Sequence, residues 1–137
     1  MFKKHLSSFV VLVSLLLVSC QSMGQNDTKQ KPSATATIEV IQFHLEHRCV
    51  TCLKIEKLTR GTLTSNLSSI PFRLVNVEEK QNEKLASEFE ATGSALFLFN
   101  PKTGKKKNLT QFAFLTAGDD AKFQAELKKH IEEFTKS

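Results

Sequence analysis

The chain has 137 residues, a formal net charge of +5, 40% hydrophobic residues, 11 Phe, and neither Trp nor Tyr. That length suits one small domain with one core. Without Lys3 and Lys4 of the basic start the charge falls to +3, too mild to argue for nucleic acid, and base-stacking platforms would have to come from Phe or His.

Met1-Phe-Lys-Lys-His5 is a short basic start, and Leu6 to Val18 is an apolar stretch broken only by Ser7, Ser8 and Ser14. This stretch is too short for an ordinary membrane span of roughly 20 residues and suits the apolar region of a signal peptide. It ends in Leu17-Val-Ser-Cys20, which resembles a bacterial lipobox. The resemblance implies a signal peptide over 1–19, cleavage before Cys20 and a diacylglycerol on its sulfur. The protein would then be lipid-anchored in the bacterial cell envelope, more on the periplasmic side than the surface. Loss of Lys3 and Lys4 with the leader would lower the formal charge from +5 to +3. Residues 20–37 carry almost nothing to bury and read as a polar tether, reaching on the order of 20–25 Å.

Residues 38–137 read as the folded domain. Ile38 to Leu45 is mostly apolar and suits a strand buried on both faces. From Cys49, a helical pattern places Cys52, Ile55, Leu58 or Thr59, and Leu63 on one side, with Gly61 falling inside it. Pro71 to Val77 alternates as a second strand. Glu78 to Ala91 reads as a second helix, with acidic residues at its start and Leu85, Ala86 and Phe89 as its apolar stripe. Ala95 to Phe99 reads as a central strand. Asn100-Pro-Lys-Thr-Gly104 has turn chemistry, the basic run Lys105–Lys107 suits that solvated turn, and Lys107 to Leu115 would be the returning antiparallel strand. Asp119 and Asp120 start a last helix with Phe123, Leu127, Ile131 and Phe134 on one face. Phe97, Phe99, Phe112 and Phe114 read as core. The order β-α-β-α-β-β-α predicts an α/β fold with a mixed four-stranded sheet flanked by helices.

The chemistry concentrates at Cys49-Val-Thr-Cys52, directly after the first strand and at the start of the first helix. If Cys20 carries lipid, these two form one isolated pair in an oxidising compartment. So short a loop makes a poor structural staple, which favours a redox or ligand role. The helix N-terminus and the adjacent Arg48 would both favour a Cys49 thiolate. Glu56, one turn after Cys52, would shuttle a proton if buried. His44, His47, Cys49 and Cys52 fall within nine residues, and thiolates with imidazole suit copper(I), zinc or an arsenite-like thiophile. A strand would aim His44 to one face, and only His130 lies further along, so the metal reading rests on Cys49, Cys52 and His47. His47 could instead pack beside the pair or tune Cys49 electrostatically. Three readings stay open: thiol–disulfide exchange, metal or metalloid binding, and a binding module with an inert disulfide. The exchange reading calls for no cofactor. Its partners would be protein thiols or disulfides and an electron donor or acceptor.

The motif and the element order together resemble the thioredoxin-like superfamily from about Ile38 to Thr135. More narrowly, Phe43-His-Leu-Glu-His-Arg-Cys-Val-Thr-Cys-Leu-Lys-Ile-Glu56, followed by Val75-Asn-Val-Glu78, is similar to a small bacterial thioredoxin-like family. Its members are labelled as nitroreductase or arsenic-related (ArsF-like) subunits. The resemblance implies Cys49 as nucleophile and Cys52 as resolving cysteine. Two departures stand out. The intervening dipeptide is Val-Thr rather than Gly-Pro, so no redox potential carries over. The loop before the third strand, where such proteins carry a cis-proline, reads Thr92-Gly-Ser-Ala, with Ser94 at or near the matching position. That leaves a place beside the sulfurs open to another ligand.

Overall fold

The computed structural model describes residues 38–137. The expected signal peptide, Cys20 and the tether lie outside the described residues. The elements are β1 (Glu39–His44), α1 (Val50–Asn66), β2 (Phe72–Asn76), α2 (Glu83–Glu88, preceded by a 3-10 turn over Lys80–Asn82), β3 (Ala95–Phe99), β4 (Lys106–Asn108), α3 (Thr110–Thr116) and α4 (Asp120–Lys136). The fold is α/β, with one mixed four-stranded sheet in the order β2-β1-β3-β4. β1 runs parallel to β2 and antiparallel to β3, which pairs antiparallel with β4. No helix among the described residues is long and apolar enough to cross a membrane.

β1 is buried on both faces, as its apolar run predicts. Val40 joins a core formed with Ile55 and Leu58 of α1, Ala113 of α3, and Phe123, Leu127 and Ile131 of α4. Ile41 and Phe43, on the alternate face, join Val75, Phe97, Ala86 and Phe89. The helices therefore divide unequally: α1, α3 and α4 cover one face, and the short α2 covers the other. Phe43, Phe89 and Phe97 meet with ring centroids 5.2–5.8 Å apart, within the range of favourable aromatic pairs.

The stripes read on the two long helices are buried. On α1 these are Cys52, Ile55, Leu58, Thr59 and Leu63, joined by Thr62, and the helix passes through Gly61 without a break. On α4 they are Phe123, Leu127, Ile131 and Phe134, and Asp119 caps the helix by accepting from the Lys122 N–H at 3.0 Å. Each Ile, Leu or Phe of these stripes contributes about 1.5–3 kcal/mol by leaving water. The turn after β3 closes as its residues require. The Asn100 side chain accepts from Lys102 and Thr103, and Gly104 adopts a φ of 73°.

Two expectations are corrected. The returning strand ends at Asn108, and Thr110–Thr116 is a helix. The Asn108 side chain accepts from the Thr110 N–H at 2.8 Å, and the Thr110 hydroxyl accepts from the Leu96 N–H at 3.1 Å. A side chain thus replaces the backbone partner that Leu96 would find in a longer β4, and the chain turns away from the sheet. Phe112 packs against the core, whereas Phe114 is 41% exposed. The helix expected over 78–91 is a 3-10 turn followed by six residues. It ends where Glu90 takes a φ of 52°. The Glu90 N–H donates to Ser87 O and the Ala91 N–H to Ala86 O, the pair of hydrogen bonds of a Schellman ending, whose left-handed position favours Gly.

A side chain in that conformation is strained by about 1 kcal/mol or more. Glu90→Gly is expected to raise stability by about 0.5–1 kcal/mol after the entropy cost of glycine. Urea unfolding measures it, and a lower midpoint would show that the Glu90 side chain contributes more than its backbone costs.

Candidate functional site

β1 delivers the chain to the site. Beyond His44, residues 45–48 leave the sheet and are tied to the end of β2. Asn76 donates to Glu46 at 2.6 Å, and the Glu46 N–H donates to Glu78. Cys49 then takes an extended conformation (φ −74°, ψ 160°) and serves as the N-cap of α1. Its sulfur accepts the Cys52 N–H at 3.3 Å. A cap is normally a small oxygen-bearing side chain; here a cysteine sulfur fills that role.

Both cysteines are free thiols, Cys49 exposed and Cys52 buried. Their sulfurs are 2.7 Å apart, within a side-chain adjustment of the about 2.0 Å of a covalent disulfide. The Cys52 thiol hydrogen-bonded to Cys49, together with the N–H of Cys52 and those around it, holds the Cys49 pKa below the ordinary 9.0. Those donors favour the thiolate over the thiol. On the far side, the Cys52 sulfur lies 3.2 Å from the Ser94 hydroxyl. Ser94 sits in the loop before β3, where no peptide bond is cis.

Arg48 is placed differently from its expected role. Its guanidinium pairs with Glu56, which also accepts from Arg60 at 2.8 Å. The donors that lower the Cys49 pKa are a thiol and backbone N–H groups, and Arg48 is not among them. Glu56 is not a free proton carrier either. Burial raises its pKa, but the hydrogen bonds and charges of Arg48 and Arg60 outweigh burial and hold it below the usual 4.5. His47 is exposed in the loop, and His44 Nδ1 lies 3.0 Å from the carbonyl of Leu45. Among the described residues no group of three or more His, Cys, Asp or Glu is placed to hold a metal ion, and His47 is not brought together with the two thiols.

One participant escaped the sequence reading. Gln42, 2% exposed, donates from Nε2 to the Cys52 carbonyl at 2.9 Å. It ties the first turn of α1 to the central strand. Its signal was a lone amide inside the apolar run Ile38–Phe43, since a polar side chain buried in a central strand must find a partner. Comparison with family models, curated proteins and solved structures gives no match to this chain.

Two predictions follow from this geometry. Alkylation of Cys49 by iodoacetamide should show a midpoint below pH 9.0, with Cys52 protected by burial; mass-spectrometric mapping across a pH series checks both. A midpoint at or above 9.0 would contradict the donor arrangement. Because folding depresses the Glu56 pKa, its pairing stabilises the fold above the unfolded value near 4.5 and is lost as pH falls through the folded value. Glu56→Gln should therefore lower the melting temperature by a few degrees at neutral pH, with the gap to wild type closing in acid. A gap that is constant with pH would remove the charge from the explanation.

Proposed function

We propose that this chain is a lipid-anchored thiol–disulfide oxidoreductase of the bacterial cell envelope, with a thioredoxin-like fold. The observation that carries the reading is the cysteine pair itself. An exposed sulfur is held as a helix N-cap with a lowered pKa, and a buried sulfur lies 2.7 Å behind it. That asymmetry suits a nucleophile that meets substrate and a partner that does not. The sheet order β2-β1-β3-β4, with one parallel pair and two antiparallel pairs, supports the fold assignment. The lipobox-like Leu17–Cys20 segment supports the anchor.

The Cys49 thiolate attacks one sulfur of a substrate protein disulfide. A Cys49–substrate bond forms, and the other substrate sulfur leaves as a thiolate that takes a proton. Cys52 then attacks Cys49, the Cys49–Cys52 bond forms, and the second substrate sulfur leaves. Two electrons pass from the dithiol to the substrate; the reverse sequence oxidises a substrate dithiol. The chemistry uses only these sulfurs and exchangeable protons.

The full chain in detergent, equilibrated with glutathione or dithiothreitol buffers, is expected to show a reversible potential between about −120 and −270 mV. A potential below about −300 mV marks an inert structural bridge. Cys49→Ser should reduce turnover to background, and Cys52→Ser should accumulate a mixed disulfide with substrate. Intact turnover in Cys49→Ser would end the exchange reading.

A further inference from the structure

The buried cysteine poses a problem that the exchange mechanism leaves open. Cys52 is 3% exposed, yet it must act as a thiolate in the resolving step, because the thiolate and not the thiol is the nucleophile. Water is largely excluded there, so the protein has to supply the donors that a solvated thiolate would find. The side-chain neighbours of its sulfur are Cys49, at 2.7 Å, and the Ser94 hydroxyl, at 3.2 Å.

Counting protons fixes the direction of these contacts. A thiol has one proton. With Cys49 ionised, the Cys52 S–H is the donor between the two sulfurs. The contact between Cys52 and Ser94 can then only run from the serine O–H to the Cys52 sulfur. We infer that Ser94 is a catalytic residue of the resolving step, donating its hydroxyl proton as a hydrogen bond to the Cys52 sulfur while that sulfur attacks Cys49. The inference rests on the exchange reading. The bond changes balance. The Cys52 thiol proton passes to solvent, the Cys52–Cys49 bond forms, and the bond from Cys49 to the substrate sulfur breaks. That sulfur leaves as a thiolate and is protonated. Ser94 keeps its own proton throughout.

The placement of Ser94 follows from the sheet. Ala95 pairs with Phe43 in the antiparallel β1–β3 register. Ser94 therefore stands just before the edge of β3, at the end of β1 from which the chain leads to Cys49. Within β3 the Leu96 N–H donates to the Thr110 hydroxyl, which fixes the start of the strand next to this loop. Proline would supply no hydroxyl here, and alanine none either. Threonine would preserve it.

The test separates the two steps. The reduced full chain is mixed with a chromogenic aromatic disulfide in stopped flow. The first thiolate is released when Cys49 attacks, and the second when Cys52 resolves the mixed disulfide. Ser94→Ala is expected to slow the second phase about tenfold near neutral pH, the scale of losing one hydrogen bond to a charged group. Its pH–rate profile should move to higher pH. The first phase should stay within twofold, which also reports that the α1 cap is folded. Ser94→Thr should restore the second phase. An unchanged second phase in Ser94→Ala, or one slowed equally in Ser94→Thr, would overturn the role of the hydroxyl while leaving exchange intact. A wild-type chain with a first phase and no second would overturn both Ser94 and the exchange reading.

Discussion

One sulfur organises the helix start at this site. Cys49 begins α1 by accepting the Cys52 N–H, so the proposed nucleophile is also the cap that organises the helix start. A helix N-terminus leaves several N–H groups without intrahelical partners, and an anionic acceptor there is stabilised by those donors and by the helix dipole. In the proposed exchange, reaction at Cys49 would change the acceptor from a thiolate to a neutral, two-bonded sulfur. The cap is therefore strongest in the reduced, ionised state and weaker in every oxidised one. Gln42 limits the consequence, because its bond to the Cys52 carbonyl anchors the same turn to β1 whatever the state of the sulfur.

The electrostatics of the site depart from what adjacency in sequence suggests. Arg48 precedes Cys49, yet its charge is paired with Glu56, which in turn binds Arg60. The acidity of Cys49 then comes from hydrogen-bond donors instead of a bare cation. Donors of this kind act at contact distance, whereas a solvent-facing cation would be screened by salt. The ion-paired group instead links the loop before Cys49 to the second and third turns of α1. It acts on the geometry of the approach and leaves the sulfur's charge to the helix.

What could be read in the sequence was what periodicity controls. The two-sided burial of β1, the α1 stripe from Cys52 to Leu63 and the α4 stripe from Phe123 to Phe134 each repeat over enough residues for the pattern to dominate. The segment after Lys107 was misread because Phe112, Phe114 and Thr110 carry strand preference, while the deciding interactions are tertiary: Asn108 and Thr110 end the ladder through their side chains. The second helix falls short of the expected span at both ends: it opens as a 3-10 turn over Lys80–Asn82, and Glu90 stops it in a left-handed conformation that sequence would assign to Gly. The cysteine pair was legible from its spacing. Whether Arg48 would reach Cys49 was not, because its partner Glu56 lies two turns along the helix.

The contact between Cys52 and Ser94 joins residues 42 apart in sequence, and it exists because of strand register. Glu39 pairs with Phe99 and Phe43 with Ala95, so the loop carrying Ser94 meets the end of β1 that launches α1. A slip of one residue would turn every side chain of β3 to the opposite face. Phe97 would leave its contacts with Phe43 and Phe89, and Leu96 and Leu98 would leave the core beneath α1 and α4. Both faces of β3 are packed, so both resist the slip. The hydrophobic layers on either side of the sheet thus set the position of a single hydroxyl to within hydrogen-bonding distance of a buried sulfur. The site's polar geometry is a consequence of apolar packing some residues away from it.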